Sequence, residues 1–153
     1  MITRYSPTDF RDLWSAKAKV HAWLDVELAA CTASEEAGLV PKGTAESIRA
    51  LDLDLDVDRI DEIERTTKHD VIAFLTHVEE LAGPPARFLH LGLTSSDILD
   101  SSLALLLVRA ADKLLTRTDA LIAALTRRTE EHRRTQMIGR SHGIHAEPHP
   151  TLR

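Results

Sequence analysis

The stretch that decides the fold is Ile98–Leu125, which reads ILDSSLALLLVRAADKLLTRTDALIAAL. Its apolar residues recur every three or four positions, which is the spacing of one face of a helix. The positions on this face are Leu99, Leu103, Leu106, Leu107, Ala110, Leu114, Leu121, Ile122 and Leu125. No glycine or proline follows before Gly139, so the pattern predicts a single helix of about 35 residues. Such a helix cannot bury its own apolar surface, and its length indicates a bundle with partner helices.

The composition of the whole chain is that of packed helices. Hydrophobic residues make up 43% of the 153 residues and aromatic residues 4%, so the apolar content is mostly aliphatic. Six glycines and six prolines are too few for a turn-rich β fold. We therefore predict an all-α protein in which an N-terminal helical domain, residues 1–92, precedes a segment, residues 93–153, that opens with the long helix of a helical bundle.

Charge and cysteine content exclude several classes of protein. A formal charge of −5 argues against a nucleic-acid binder, which would carry a basic face. No apolar run approaches the roughly 20 residues of a membrane span, and the N-terminus lacks the pattern of a secretory signal. A single cysteine, Cys31, excludes an internal disulfide framework. We expect a cytoplasmic protein that binds neither nucleic acid nor membrane.

Several local signals set the expected helix ends. Ser6 is expected to cap a first short helix and Ser15 a second, longer one, because serine oxygens accept the free N–H groups of a first turn. Gly38 and the run Gly83–Pro85 are expected to end helices. A break is expected near Thr67–Asp70.

The segment Leu51–Asp58 alternates leucine or valine with aspartate, which is the pattern of a half-buried strand. No partner strand is evident elsewhere, and aspartate is a poor strand former. We interpret the segment as an extended connector whose leucines pack onto helices, with Asp58 capping the helix that follows.

Two polar clusters interrupt the helical patterns. In Thr66–Asp70, Lys68 and His69 could bind an anion, but a capped helix junction with exposed charges explains the cluster too. In His90–Asp97, hydroxyl groups precede a long helix, where free backbone N–H groups favour anions. Simple N-capping explains the serines and the aspartate equally well, so both interpretations stay open.

The third cluster is Gly139–Pro148, GRSHGIHAEP. His142, His145 and Glu147 could ligate a metal, but their spacing matches no recognised zinc pattern. An imidazole titrates near neutrality and can transfer a proton. The pattern therefore favours proton transfer over a metal, and a purely structural role remains open.

Taken together, these stretches resemble the N-terminal motifs of the adenylosuccinate lyase family. The matching segments, in the family's order and spacing, are Arg4-Tyr5, AWLDVELA at Ala22–Ala29, TKHDV at Thr67–Val71, HLGLTSSD at His90–Asp97 and GRSHGIHAEP at Gly139–Pro148. Gly143, Ile144 and His145 stand where the wider fumarase and aspartase superfamily usually has leucine and glutamine. This difference favours adenylosuccinate lyase over argininosuccinate lyase or fumarase.

The resemblance implies a β-elimination that needs no cofactor and no metal. Its substrates would be adenylosuccinate, giving AMP and fumarate, and the succinyl-carboxamide intermediate of purine synthesis. By position, His142 matches the general acid that protonates the leaving nitrogen, while His90 and His145 match supporting positions. The positions that match substrate-binding residues are Arg4, Tyr5, Lys68, His69, Asp70, Thr94 and Ser95.

The resemblance also implies a homotetramer whose subunits meet through the long helices and share their active sites. Two departures are mild, because Ser141 replaces a common threonine and Lys68 a common arginine. After Pro148, however, the sequence HPTLR leaves the family pattern. The loop that supplies the general base and the rest of the bundle would lie outside this chain, so we expect the 153-residue chain to be inactive and to self-associate.

The competing hypothesis is a non-catalytic helical oligomerisation or interaction module built on the long helix. It explains the leucine pattern but not four polar motifs in the family's order. A DNA-binding helical domain is a more distant possibility, since no basic face balances the net acidity.

Overall fold

The computed structural model describes residues 2–150, with side chains for residues 2–148. Its helices are α1 (Thr8–Leu13), α2 (Ala16–Glu36), α3 (Thr44–Arg49), α4 (Val57–Thr67), α5 (Asp70–Ala82) and α6 (Ser95–Glu131). Two short 3-10 helices, Thr3–Tyr5 and Pro84–Phe88, and two strands, β1 (Gln136–Ser141) and β2 (Ile144–Pro150), complete the described chain. The structure is 69% helical, which confirms the all-α prediction. The departure from the family pattern after Pro148 lies partly outside the described residues.

The chain forms two compact units, Met1–Ala110 and Ala111–Arg153. This division falls inside α6, which is a continuous helix of 37 residues, as the sequence pattern predicted. The division reflects the distribution of contacts along the chain and does not test the domain boundary predicted from the sequence. The domain boundary expected near Leu91–Leu93 therefore stays a prediction.

The core of the first unit lies between α2, α5 and the start of α6. The helical spacing on α2 buries Val20, Trp23, Leu24, Leu28 and Cys31. From α5, Phe74 is fully buried and meets the Trp23 ring edge to face, with the ring centroids 5.5 Å apart. Such an aromatic pair stabilises a core beyond its buried area.

The connector before α4 packs in part as the sequence predicted. Leu53 and Leu55 are buried, whereas Leu51 is 52% exposed, and the aspartates of the segment are exposed. The predicted cap, however, is wrong. The Asp56 carboxylate, not that of Asp58, accepts the N–H groups of Asp58 and Arg59, because α4 begins at Val57 and the N-cap is the residue just before it.

Ser15 caps α2 by accepting the Ala18 N–H, as predicted. The prediction for Ser6 is wrong. The Ser6 hydroxyl donates to the Ile2 carbonyl instead, and Pro7 occupies the cap position of α1. Helices α2 and α5 end next to Gly38 and at Gly83, both with positive φ, as expected for glycine at these positions.

His77 of α5 holds the start of α4 in place. The buried ring accepts the Asp56 N–H at Nε2, and its Nδ1 lies 3.2 Å from Glu80. Glu80 also accepts two hydrogen bonds from the Arg59 guanidinium. Hydrogen bonds from Arg59, and secondarily from His77, lower the pKa of Glu80 to about 2.

We expect Glu80→Gln to remove a pH-dependent part of the stability. Because folding lowers this pKa from 4.5 to about 2, the stabilisation is fully present above pH 4.5 and is lost as the pH falls towards 2. Urea denaturation should show a larger difference in free energy of unfolding between wild type and E80Q at pH 7 than near pH 2. Glu79→Gln, at an exposed position on the same helix, is the control. An E80Q difference that is independent of pH would contradict the prediction.

Helix α6 presents a long apolar surface. Eight of its apolar side chains are between 49% and 61% exposed, namely Leu103, Leu107, Val108, Leu114, Leu115, Leu121, Ile122 and Leu125. Within the described part of the chain, no helix combines the length and apolarity needed to cross a membrane.

The second unit contains an antiparallel hairpin that the sequence analysis does not predict. Its strands β1 and β2 are joined by His142 and Gly143, whose φ values are 50° and 77°. Two central residues with positive φ make a type I′ turn, which matches the twist of paired strands. The strand register shifts by one residue between Ile138 and Arg140, so Gly139 lies opposite two residues of β2, Ala146 and Glu147.

Candidate functional site

The junction between α4 and α5 carries three predicted site residues. Lys68 ends α4 in the left-handed conformation, with φ at 56°. His69 is the N-cap of α5, and its Nδ1 accepts the Ile72 N–H at 3.3 Å. The capped junction that the sequence allowed is therefore present, and the capping group is His69.

Helix capping fixes which nitrogen of His69 carries the proton. Because Nδ1 accepts an amide hydrogen, a neutral ring must carry its proton on Nε2. Nε2 lies 3.1 Å from the Ser95 hydroxyl oxygen and therefore donates to it. Nδ1 also lies 3.6 Å from Asp70, but that carboxylate accepts the Val71 N–H at 2.7 Å.

This hydrogen bond joins two predicted motifs that are 26 residues apart in the sequence. Since the Ser95 oxygen accepts from His69, the Ser95 hydroxyl proton remains available to a ligand. Both side chains lie on the surface, where a carboxylate or phosphate oxygen could accept that proton. The pair is thus a pre-oriented donor for an anion.

We expect His69→Ala to lower the free energy of unfolding by about 1 kcal/mol, the usual effect of removing an N-cap. His69→Asn should retain most of that stability, because asparagine is a good N-cap, while losing the hydrogen bond to Ser95. Thermal denaturation followed by circular dichroism measures both variants. Equal losses for the two variants would show that the cap does not stabilise α5.

The turn before α6 is held by Asp97. Its carboxylate accepts the Thr94 N–H at 2.7 Å and the Thr94 hydroxyl at 3.0 Å. These two bonds, followed by the charge of His90, lower the pKa of Asp97. Asp97 therefore holds the residue just before α6, and Thr94 donates both of its polar hydrogens within the turn, whereas the Ser95 hydroxyl proton is not used there. Capping of α6 by a serine stays a prediction.

His90 begins this motif and binds a residue that the sequence analysis missed. Its ring and its backbone N–H both contact Glu27 of α2, and Glu27 is fully buried. The signal was available, because Glu27 falls on the same helical face as Trp23, Leu24 and Leu28. An acid on an apolar face indicates a buried partner.

Arg4 and Tyr5, in contrast, are not joined to the His69–Ser95 pair. Arg4 and Tyr5 lie in the first 3-10 helix, with the guanidinium 4.6 Å from the Tyr5 ring centroid. Among the described residues, neither side chain hydrogen-bonds to His69 or Ser95. Asp70 lines a cavity of about 470 Å³, whose other walls are mostly apolar.

In the second unit, His142 is exposed at the hairpin turn and His145 lies on β2, paired with Arg140. His145, Arg140 and Glu147 line one cavity.

Backbone strain coincides with the predicted site. The non-glycine residues with positive φ in the described chain are Asp52, Lys68, His90 and His142. The left-handed conformation is unfavourable for side-chain-bearing residues, and such strain tends to occur at functional sites. Three of these four residues belong to the motifs that the sequence analysis selected.

Comparison with curated proteins gives close relatives. The chain is 47% identical over 148 residues to an adenylosuccinate lyase of Synechocystis sp.. It is 43% identical to one of Thermotoga maritima and 40% identical to one of Bacillus subtilis. Each match covers 97% of this chain and 34% of the relative, so the chain spans about a third of the length of these proteins.

Solved structures share the fold. A 3-carboxy-cis,cis-muconate lactonizing enzyme from Pseudomonas putida superposes with a TM-score of 0.83 at 26% identity, covering 95% of this chain and 35% of that one. A fumarate lyase from Mesorhizobium sp. BNC1 gives 0.78 at 25% identity, covering 92% and 34%. The family described as Lyase matches residues 3–151. The chain therefore belongs to this lyase family and corresponds to an N-terminal portion of the fumarase and aspartase superfamily.

Proposed function

We propose that this chain is the N-terminal part of an adenylosuccinate lyase. Relatives of that name at 40–47% identity and the motifs at Thr67–Val71, His90–Asp97 and Gly139–Pro148 support the proposal. The reaction is the elimination of fumarate from adenylosuccinate and from the succinyl-carboxamide intermediate of purine synthesis.

The observation that carries the proposal is the hydrogen bond between His69 and Ser95. Substrates of this class carry carboxylates and a phosphate, which require pre-oriented N–H and O–H donors. The Ser95 hydroxyl is such a donor, and its direction is set by His69. The other residues proposed to bind substrate are Arg4, Tyr5, Lys68, Asp70 and Thr94.

His142 is proposed as the general acid. In this elimination a base removes a proton from the carbon next to a carboxylate, and the bond from carbon to nitrogen then breaks. The departing nitrogen takes a proton, which an imidazolium can supply near neutral pH. The exposed turn position of His142 leaves the ring accessible to a substrate and to a neighbouring subunit, while His90 and His145 act in support.

The proposal includes assembly into a homotetramer. The half-exposed leucines of α6 support it, because a continuous apolar surface of this length is typical of an interface. Since the chain spans about a third of its relatives, we further propose that the 153 residues alone do not turn over substrate. A general acid needs its base and the rest of the preorganised site.

A chimera tests this function. Residues 1–148 of this chain would replace the matching third of the Synechocystis relative, which supplies the remaining two thirds. Fumarate release from adenylosuccinate, followed by absorbance, is the expected result, with argininosuccinate as the control substrate. A soluble, assembled chimera that releases no fumarate would falsify the proposal.

The exposed surface of α6 favours one alternative, a helical oligomerisation module without catalysis. The two functions differ in ligand binding. An oligomerisation module would not bind adenylosuccinate, whereas a lyase segment with an oriented Ser95 should bind it weakly. Titration of the isotopically labelled chain with adenylosuccinate, followed by NMR at Ser95, separates them.

A further inference from the structure

Glu27 is a buried acid for which the motif comparison supplies no role. It lies on the core face of α2 and is 0% exposed. Burying a carboxylate among apolar side chains is unfavourable unless its oxygens are satisfied. A buried carboxylate is therefore expected to have partners that satisfy both of its oxygens.

Both Glu27 oxygens bind a single residue, His90. One accepts the His90 backbone N–H at 2.7 Å and the other lies 2.6 Å from Nδ1 of the ring. His90 comes 63 residues later in the sequence and is held with a positive φ of 62°. The backbone hydrogen bond to Glu27 thus stabilises a conformation that a histidine would otherwise avoid.

The pair also fixes the ring of His90. An ionised carboxylate is an acceptor only, so the proton between the two groups belongs to Nδ1. Among the described residues, Nε2 makes no hydrogen bond. The His90 side chain is 17% exposed, and Nε2 is the ring nitrogen that Glu27 does not hold, so it is the nitrogen left for a ligand. The same geometry orients histidines in hydrolytic triads.

His90 also begins the segment that leads into α6. This segment ends at Thr94 and Ser95, and the charge of His90 contributes to lowering the pKa of Asp97 in the turn. Because Glu27 holds both the ring and the backbone N–H of His90, it also fixes the start of the segment that leads to Ser95.

We propose that Glu27 is a positioning residue of the substrate site: through His90 it directs Nε2 towards the anionic groups of the ligand and holds the backbone that leads to Ser95. This inference rests on the proposed function, since it assigns His90 a contact with that ligand. Glu27 itself touches no ligand.

The ring nitrogens of His90 provide a direct test in the 153-residue chain. Long-range nitrogen–proton NMR of the labelled wild type should show a proton on Nδ1 of His90. A neutral ring with its proton on Nε2 alone would overturn the inference and leave the proposed function untouched. This measurement needs no variant.

Two variants test the link to the ligand, with adenylosuccinate as the probe. Glu27→Gln should change the His90 ring signals and weaken binding about tenfold, while Glu36→Gln, at an exposed position on the same helix, should change neither. His90→Asn tolerates a left-handed backbone and can still donate to Glu27 from its side-chain amide, but lacks Nε2. It should retain the fold and lose affinity by a similar factor, which keeps the test decisive if Glu27→Gln does not fold.

The outcomes separate the inference from the function. Wild-type affinity in both Glu27→Gln and His90→Asn would overturn the positioning role alone. If the wild-type chain shows no response to adenylosuccinate, the inference is overturned for this chain, and fumarate release by the chimera then shows whether the proposed function falls with it.

Discussion

Replacing Phe74 with alanine is expected to lower the free energy of unfolding by about 4 kcal/mol, the middle of the range for a buried aromatic side chain. Phe74 is fully buried, and the Trp23 ring packs against it at 5.5 Å. The substitution removes this contact and leaves a cavity between α2 and α5 that those helices cannot close without shifting. Urea denaturation followed by circular dichroism measures the loss.

Ile72→Ala provides the matched control, because Ile72 is on the same helix and is 41% exposed. Its effect should stay within about 0.5 kcal/mol, as is usual for surface positions. If Phe74→Ala were no more destabilising than Ile72→Ala, Phe74 would not pack in a core between α2 and α5.

The second large effect is expected on catalysis. In the chimera with the Synechocystis relative, His142→Ala should lower kcat by about 10²- to 10⁴-fold, the usual contribution of a general acid. The loss follows from leaving the departing nitrogen without a proton donor. Because the turn is exposed, the substitution should not change the fold, and thermal denaturation of the chimera should confirm that.

His145→Ala serves as its comparison, since His145 lies on the same hairpin and is assigned a supporting role. We expect a clearly smaller loss of kcat for this variant. Equal losses in the two variants would contradict the assignment of the proton donor to His142 alone.

The long helix and its neighbours could be predicted because the physical cause is local. The spacing of leucines fixes the face of α6, and the cap at Ser15 depends on groups three residues apart. Asp56 was missed because two aspartates in one alternating run differ as caps only by where α4 begins. The hairpin was missed because His-Gly lacks the asparagine or aspartate that usually announces a type I′ turn.

The candidate site, like the fold, could be predicted from the sequence only where the cause is local. Motif residues such as His69 and Ser95 could be selected from the sequence, but their hydrogen bond depends on how α5 and α6 meet, which no spacing encodes. Glu27 was missed for a related reason. Its partner is 63 residues away, and only tertiary packing shows that the buried acid serves His90.

The left-handed residues have a consequence for directed evolution of this protein. At Lys68 and His142, both exposed, glycine would adopt the observed backbone without steric penalty, so substitution to glycine removes strain at positions proposed to serve the ligand. A selection for thermostability alone would therefore accumulate changes at these two positions and discard the chemistry they carry. His90 differs, because its ring satisfies the buried Glu27 carboxylate, and its loss would destabilise the core.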